Sequence, residues 1–144
     1  MVKYVTFKLG KSSLAHRKGV DPRLVSISDR AIKITLVDFG HGPMAGLRTA
    51  EIQNQLYKDG LSKCDGYTNK SRHQTGKALD FYAYVNGRAS WDPEHLSMVA
   101  NAFLQAAAEL GYNVQWGGLW ARKGKTKING IIYGWDMPHM ELVD

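Results

Sequence analysis

The feature that most constrains the fold is a helix signal with clear ends between Asp92 and Gly111. Asp92 is a favourable N-cap, Pro93 suits the first helical position, and Gly111 is a common terminator of helices. The apolar residues between them recur at helical spacing, namely Leu96, Val99, Phe103 and Leu110. The pattern predicts a helix from Pro93 to Leu110 whose buried face organises the packing of the other elements.

The remaining elements are shorter and of both types. Two further helices are predicted, Pro22–Ile34 behind the N-cap Asp21 and Ala50–Lys58 behind the N-cap Thr49. Strands are predicted at Tyr4–Leu9 (or an extended arm), Leu36–Phe39, Leu79–Val85, Tyr112–Trp116 and Ile131–Tyr133. Residues 61–70 and the basic stretch Arg122–Lys127 are predicted loops. Because strands and helices are mixed without βαβ regularity, we expect an α+β fold: a small antiparallel sheet with helices packed on it.

Composition bounds the class of protein. A chain of 144 residues is expected to form one domain, residues 1–144, without a separate wall-binding domain. Its formal charge of +6 favours a polyanionic partner such as nucleic acid, an anionic membrane or an anionic cell wall. The single Cys64 excludes an intrachain disulfide, and we interpret it as an incidental loop residue. With no signal peptide or membrane-spanning stretch in the sequence, we expect a monomer that stays in the cytosol until another protein releases it.

A possible metal site begins with His73 and Asp80, which lie seven positions apart where a loop is predicted to enter a strand. A catalytic zinc typically takes three protein ligands and keeps an open position for water. His139 is the best candidate for the third ligand, since it follows an apolar strand and has Asp136 three positions before it. The other histidines lie in a capped helix (His95) or in basic and glycine-rich segments, which makes them weaker candidates.

A metal-activated water also needs a base. Asp136 is the first candidate, although residues three apart on a regular strand face opposite sides. The backbone must therefore turn at Gly134 or at Met137-Pro138 for Asp136 and His139 to converge. Glu141 shares a strand face with His139 and is the alternative base or a partner of that ligand. Arg48, just before a helix start, is a candidate for binding a carboxylate or an oxyanion, although a surface salt bridge is equally compatible with its position.

These residues fall into a pattern that resembles a known family. Ser71-x-His73-x-x-Gly76-x-Ala78-x-Asp80, followed by Asp136-x-Pro138-His139, is similar to the zinc signature of the D-Ala-D-Ala carboxypeptidase-like murein peptidases. Within that group it most resembles the phage endolysins of the L-alanyl-D-glutamate peptidase type. The segments that carry the rest of the resemblance are Gly46-Leu47-Arg48-Thr49 with Gln53, and Trp116-Gly117-Gly118. The similarity runs from about Asp21 to Leu142.

The resemblance implies a hedgehog/D-Ala-D-Ala peptidase-like fold and a Zn²⁺ ion bound by His73, Asp80 and His139. It implies that Asp136 is the general base and acid, that Arg48 holds the substrate or the developing negative charge, and that Ser71 orients the ligand loop. The expected partner is the stem peptide of peptidoglycan rather than nucleic acid, and the expected reaction is hydrolysis of its L-Ala–D-Glu bond. Lysis would depend on a holin-type permeabilising protein. The segment 40–44 is longer and more broken than the family pattern leads us to expect.

Three alternatives remain open at this point. A D-Ala-D-Ala carboxypeptidase or dipeptidase would release free D-Ala. A basic nucleic-acid-binding domain would bind with steep salt dependence and would not need His73 or His139. A zinc-binding scaffold without catalysis would bind the metal and leave murein intact.

Overall fold

The computed structural model describes residues 6–120, 127–128 and 130–144. In this part of the chain the helices are α1 (Lys11–His16), α2 (Pro22–Ile34), α3 (Ala50–Lys58) and α4 (Pro93–Leu110), with 3₁₀ turns at Arg72–Thr75 and Gly117–Leu119. The strands are β1 (Asp38–Gly40), β2 (Ala78–Asp80), β3 (Tyr82–Val85), β4 (Arg88–Ser90), β5 (Val114–Trp116), β6 (Lys127–Ile128), β7 (Ile131–Ile132) and β8 (His139–Leu142).

The three predicted helices are confirmed at the predicted residues because each is fixed by local hydrogen bonds. The side chains of Asp21, Thr49 and Asp92 each accept a hydrogen bond from a backbone N–H in the first turn. Gly111 ends α4 in the left-handed conformation, at φ 79°. The short helix α1 was not predicted, since its N-cap Gly10 makes no side-chain hydrogen bond.

The α+β class is confirmed, and the antiparallel strands are distributed over more than one sheet. One sheet has the order β1-β3-β4, a second has the order β2-β8-β5, and β6 pairs with β7 in a hairpin. The predicted single strand Leu79–Val85 is wrong, because the chain leaves the second sheet at Phe81 and enters the first as β3. The Phe81 N–H donates to the carbonyl of Pro138 at 2.8 Å, which fixes this crossing point.

The core lies between the helices and the sheets. Helix α2 packs on α4, and Phe81 stacks on Phe103 of α4 with ring centroids 5.0 Å apart. Both rings are buried, as are Leu24 and Ile27 of α2. Because the chain crosses between the two sheets at Phe81, this packing holds the crossing point against α4. Across the described residues, no helix has the length and apolar character needed to span a membrane.

Pairing in the second sheet brings distant parts of the sequence together. Asp80, the last residue of β2, lies directly opposite His139, the first residue of β8. Directly opposed residues on antiparallel strands have side chains on the same face, about 5 Å apart at Cβ. Two details of the prediction are wrong: His73 lies on the 3₁₀ turn Arg72–Thr75, and Asp80 ends its strand rather than beginning it. Asp136 precedes β8 in a turn, so only His139 lies on the last strand.

The remaining predictions concern the N-terminal residues, three short strands and the basic stretch. Thr6–Gly10 form no strand, whereas residues 1–5 lie outside the described residues. The predicted strand Leu36–Phe39 is observed as β1, shifted to Asp38–Gly40. Strand β5 begins at Val114, after the predicted start, and β7 ends at Ile132, before the predicted end. The basic stretch Arg122–Lys127 lies outside the described residues except for Lys127, which begins β6.

Candidate metal centre and active site

Three side chains from separate segments converge on one point. His73 Nε2 lies 3.1 Å from Asp80 Oδ1 and 3.2 Å from His139 Nδ1, and the latter two atoms are 3.0 Å apart. These residues form a group that could hold a metal ion. Ligand atoms placed about 2.05 Å from a tetrahedral zinc lie about 3.3 Å from one another. The observed triangle is therefore close to the spacing that such a site requires.

In both imidazoles, the nitrogen that faces away from the triangle makes a hydrogen bond. In a neutral ring this leaves the lone pair on the inner nitrogen, which faces the triangle. His73 Nδ1 lies 2.9 Å from the Gly46 carbonyl oxygen, and His139 Nε2 lies 2.8 Å from Glu141 Oε1. Because these oxygens are acceptors, each outer nitrogen carries the proton, and in neutral rings the inner nitrogens are acceptors. This arrangement of an N–H held by a carbonyl or carboxylate is typical of metal-ligating histidines.

The electrostatics of the triangle favour a cation. Burial alone would raise the pKa of Asp80, but the neighbouring His73 and His139 hold it well below its usual range. Burial alone would lower the pKa of His139, but hydrogen bonds with Asp80 and Glu141 raise it to about 10. The Asp80 carboxylate is thus ionised, and without a metal ion His139 holds a proton beside it, which a bound cation would replace. The donor set fits a divalent metal ion, and two nitrogens with one carboxylate oxygen match the ligand preference of zinc.

Arg48 is fixed against the same carboxylate. Its guanidinium donates to Asp80 Oδ2 at 3.1 Å, to the side-chain oxygen of Gln53 at 3.1 Å and to the Met44 carbonyl at 2.8 Å. Gln53, which is part of the family resemblance, is fully buried. Its contact with Arg48 is a physical reason for a glutamine at this position. The Arg48 side chain is only 12% exposed, so it is not a surface salt bridge. Its position next to Asp80 places a permanent positive charge at the metal-capable group.

Asp136 reaches the site because the backbone turns at residues 134–138. The His139 N–H donates to the Asp136 carbonyl at 3.3 Å, and Asp136 Oδ2 lies 3.7 Å from His139 Nδ1. Burial and the charge of Asp80 raise the pKa of the Asp136 carboxyl. Among the residues that the structure describes, its carboxylate accepts no hydrogen bond within 3.5 Å. It is therefore a carboxylate with raised proton affinity and free lone pairs beside the triangle.

The glycine pair after Trp116 allows this turn to pack. A Cβ on Gly117 would lie 2.0 Å from the Asp136 carbonyl oxygen, so only glycine permits the backbones to approach this closely. The Gly134 N–H donates to the Gly118 carbonyl at 2.6 Å. Trp116 lies beneath, and its indole N–H donates to the Met137 carbonyl at 2.5 Å. The Trp116-Gly117-Gly118 segment thus holds the turn that carries Asp136.

Glu141 and Ser71 take positions outside the triangle. Glu141 contacts the outer nitrogen of His139 and also lies 3.7 Å from Arg72 Nε, so it faces away from the three inner atoms. Ser71 caps the turn Arg72–Thr75: its Oγ accepts from the His73 N–H at 3.2 Å. In return its own N–H donates to the side chain of Gln74 at 2.8 Å. Both residues fix the orientation of a ligand candidate.

The sequence is similar to known proteins over nearly the full length of the chain. The family model described as phage L-alanyl-D-glutamate peptidase matches residues 5–143. The L-alanyl-D-glutamate peptidase of Escherichia phage T5 is 34% identical over 140 residues, which cover 96% of this chain and 100% of that protein. The chain belongs to the phage L-alanyl-D-glutamate peptidase family.

A solved structure extends this assignment to the fold. The crystal structure of the Serratia marcescens L-Ala D-Glu endopeptidase ChiX matches with a TM-score of 0.74 and 31% sequence identity. The match covers 94% of this chain and 90% of the Serratia chain. The α+β architecture described above is therefore shared with a structurally characterised endopeptidase. The family assignment gives no support to the alternative of a nucleic-acid-binding domain.

In this family member the metal-capable group lies in a cleft, which we call the site cleft, of about 230 Å³. Trp120 packs on His139 with centroids 5.1 Å apart and on Trp135 at 5.3 Å, forming an aromatic wall. No spacing in the sequence indicates these two residues, because their contact is long-range: Trp120 follows the 3₁₀ turn Gly117–Leu119, and Trp135 lies between β7 and β8. Cys64 also lines the site cleft, and burial raises the pKa of its thiol, but it lies outside the metal-capable group.

His41 is a further residue beside the site that no motif in the sequence indicates. It lies in a glycine-rich segment and is nevertheless only 1% exposed. Its Nδ1 lies 2.6 Å from the Asp80 carbonyl oxygen and its Nε2 lies 2.8 Å from the Ser28 hydroxyl. Burial lowers its pKa to about 4, so the ring is neutral near pH 7, with Nδ1–H donating to Asp80. His41 thus supports the backbone of Asp80 from the core side.

Proposed function

We propose that the chain is a zinc-dependent endopeptidase that hydrolyses the L-Ala–D-Glu bond in the stem peptides of peptidoglycan. The observation that carries this proposal is the triangle of His73, Asp80 and His139 with Asp136 beside it, in a member of the L-alanyl-D-glutamate peptidase family. The basic character of the chain, at formal charge +6, is compatible with binding to an anionic wall.

The roles of the residues follow from their positions. When bound by His73, Asp80 and His139, zinc supplies Lewis-acid polarisation of the scissile carbonyl and makes water acidic enough to lose a proton near neutral pH. Asp136 takes that proton as the water oxygen bonds to the carbonyl carbon. It then gives the proton to the leaving α-amine of D-Glu as the C–N bond breaks. The products are a stem that ends in the L-Ala carboxylate and a peptide with a new amino group on D-Glu.

Arg48 and the outer contacts prepare this chemistry. The guanidinium of Arg48 donates to Asp80 and lines the site cleft, where its positive charge would stabilise the negative charge that develops on the carbonyl oxygen. Its contact with Gln53 fixes the plane of the fork before substrate binds. Glu141, the Gly46 carbonyl and Ser71 hold the two imidazoles in the orientation that the metal needs. Glu141 therefore acts as the partner of His139 rather than as the base.

The cellular setting is also part of the proposal. We infer that the protein is made in the host cytoplasm as a single-domain monomer and reaches the wall when a holin-type protein permeabilises the membrane. The support for this step is membership of a phage peptidase family.

Digestion of purified peptidoglycan with identification of the products tests the reaction. We expect new amino groups on D-Glu, complete loss of activity with a chelator, and recovery when zinc is returned. Release of free D-Ala would instead assign a carboxypeptidase or dipeptidase. Zinc binding with intact murein would assign a scaffold without catalysis, and chelator-insensitive hydrolysis would exclude the metal mechanism.

Arg48→Lys tests whether the reaction needs the planar set of N–H donors of the Arg48 guanidinium. Lysine keeps the charge but cannot donate to Asp80, Gln53 and the transition state together, so we expect kcat to fall on the order of 10²-fold with a smaller change in KM. Arg30→Lys is the matched control, because the Arg30–Glu109 pair lies on the surface and contributes little. An unchanged kcat in Arg48→Lys would contradict the proposed role of Arg48 in the reaction.

A further inference from the structure

A second cleft adjoins the metal-capable group, and we call it the side cleft. It has a volume of about 180 Å³ and mostly apolar walls, which include Met44, Phe81, Trp91 and Pro138. Arg48 and Asp80 line both clefts, whereas Asp136 lines the site cleft and not the side cleft. The two clefts therefore meet at the residues that would surround a scissile carbonyl.

Trp91 gives the side cleft a rigid, exposed aromatic face. It lies between β4 and the N-cap of α4, and 60% of its surface is exposed. Its ring rests on Tyr82, with centroids 5.9 Å apart. The Tyr82 hydroxyl in turn lies close to Gly40, where a Cβ would come within 2.5 Å of it, so only glycine leaves room for this ring. Met44, which is 45% exposed, lines the same cleft, and a contiguous apolar surface beside a reaction centre indicates a binding surface.

The position of Asp136 decides which half of the substrate enters each cleft. In the proposed reaction Asp136 gives its proton to the leaving amine, so the leaving half lies in the site cleft. Lys70 and Arg72 line that cleft. Lys70 is the better match for the free carboxylate of D-Glu, since Arg72 already pairs with Glu141 and Asp144. The acyl half then extends past Arg48 and Asp80 into the side cleft.

We propose that the side cleft binds the acyl half of the substrate, with the L-Ala methyl group in its apolar floor and the muramic acid sugar on Trp91. This inference rests on the proposed function and adds the recognition of the glycan strand to it. L-Ala is joined through its nitrogen to the lactyl group of muramic acid, so a sugar must lie within a few bonds of the scissile carbonyl. A pyranose ring presents an apolar face of C–H groups, which the indole of Trp91 removes from water.

Two substrates with the same L-Ala–D-Glu bond test the proposal. One carries muramic acid on the L-Ala nitrogen and the other carries an acetyl group there. We expect wild-type kcat/KM to be roughly 5- to 10-fold higher for the glycopeptide, the value of one aromatic contact. Trp91→Ala should bring the ratio of the two kcat/KM values close to one, and Trp91→Phe should keep part of it. Tyr57→Ala, which removes an exposed ring on α3, should keep the wild-type ratio.

The ratio separates recognition from structural damage. A purely structural role of Trp91 would lower kcat/KM for both substrates alike and leave their ratio at the wild-type value, which would overturn the proposal. Equal kcat/KM for both substrates in the wild type would also overturn it, while the proposed peptidase function would stand. If the wild type cleaves neither substrate at the L-Ala–D-Glu bond, the proposed function itself fails and this inference fails with it.

Discussion

Asp136→Asn is expected to lower kcat by about 10²–10⁴-fold while the affinity for zinc stays close to the wild-type value. The amide cannot accept a proton from water, yet Asp136 is not a member of the metal-capable triangle, since its nearest carboxylate oxygen lies 3.7 Å from His139 Nδ1. Steady-state kinetics on a stem peptide at saturating zinc, together with zinc titration by calorimetry, measures both quantities on the same variant.

Glu141→Gln is the matched control, because it makes the same chemical change on the other side of His139. Its amide oxygen can still accept the His139 Nε2–H, but with less charge, so we expect zinc affinity to fall by about 10- to 100-fold. Excess zinc should then restore most of the activity of Glu141→Gln and none of that lost in Asp136→Asn. The opposite pattern, with Asp136→Asn active and Glu141→Gln inactive at saturating zinc, would make Glu141 the base.

The helices could be predicted from the sequence because their ends are local. Asp21, Thr49 and Asp92 each bond a backbone N–H within three residues, so the cap can be recognised without knowledge of the fold. The crossing at Phe81 could not be recognised in this way. Leu79, Phe81 and Ala83 are all buried and alternate as they would on one continuous strand, whereas the long-range contact of Phe81 with Pro138 marks the break between β2 and β3.

The residues of the candidate site also differ in whether the sequence reveals them. His73, Asp80, Asp136 and His139 carry recognisable motifs, and the structure places them together. His41 carries no such motif, and its function as a support for Asp80 depends on Ser28, which is 13 positions away in the sequence. A histidine between two glycines is typical of a loop. The burial of His41 becomes evident only from the packing of α2 and α4.

The segment 45–48 shows how a short stretch can organise the site. The Ala45 carbonyl accepts the Asp80 N–H at 2.8 Å, the Gly46 carbonyl faces His73 Nδ1, and the Arg48 N–H donates to the His73 carbonyl at 3.0 Å. Two ligand candidates and Arg48 are thus connected through hydrogen bonds of this main-chain segment. Because backbone groups make these contacts, side-chain patterns do not reveal them in the sequence.

His139→Ala is expected to abolish specific zinc binding and, with it, hydrolysis. The change removes one of the three converging atoms and leaves His73 and Asp80, which alone cannot complete the typical set of three protein ligands. Binding to the folded state stabilises a protein by about 2.7 kcal/mol when free ligand is at 100 times its Kd. Addition of zinc should therefore raise the Tm of the chelated wild type by several degrees and leave the Tm of His139→Ala unchanged.

His95→Ala is the control for this experiment, since His95 contacts Ser90 beside α4 and lies outside the metal-capable group. It should keep the zinc-dependent rise in Tm and one zinc per chain by elemental analysis. His139→Gln provides a second test with a polar side chain in the same place, in case the alanine variant folds poorly. A folded His139 variant that still binds zinc with wild-type affinity would contradict the assignment of His139 as a ligand. The proposed role of Asp136 as the base would then also fail, because the proposed mechanism requires a metal centre beside it.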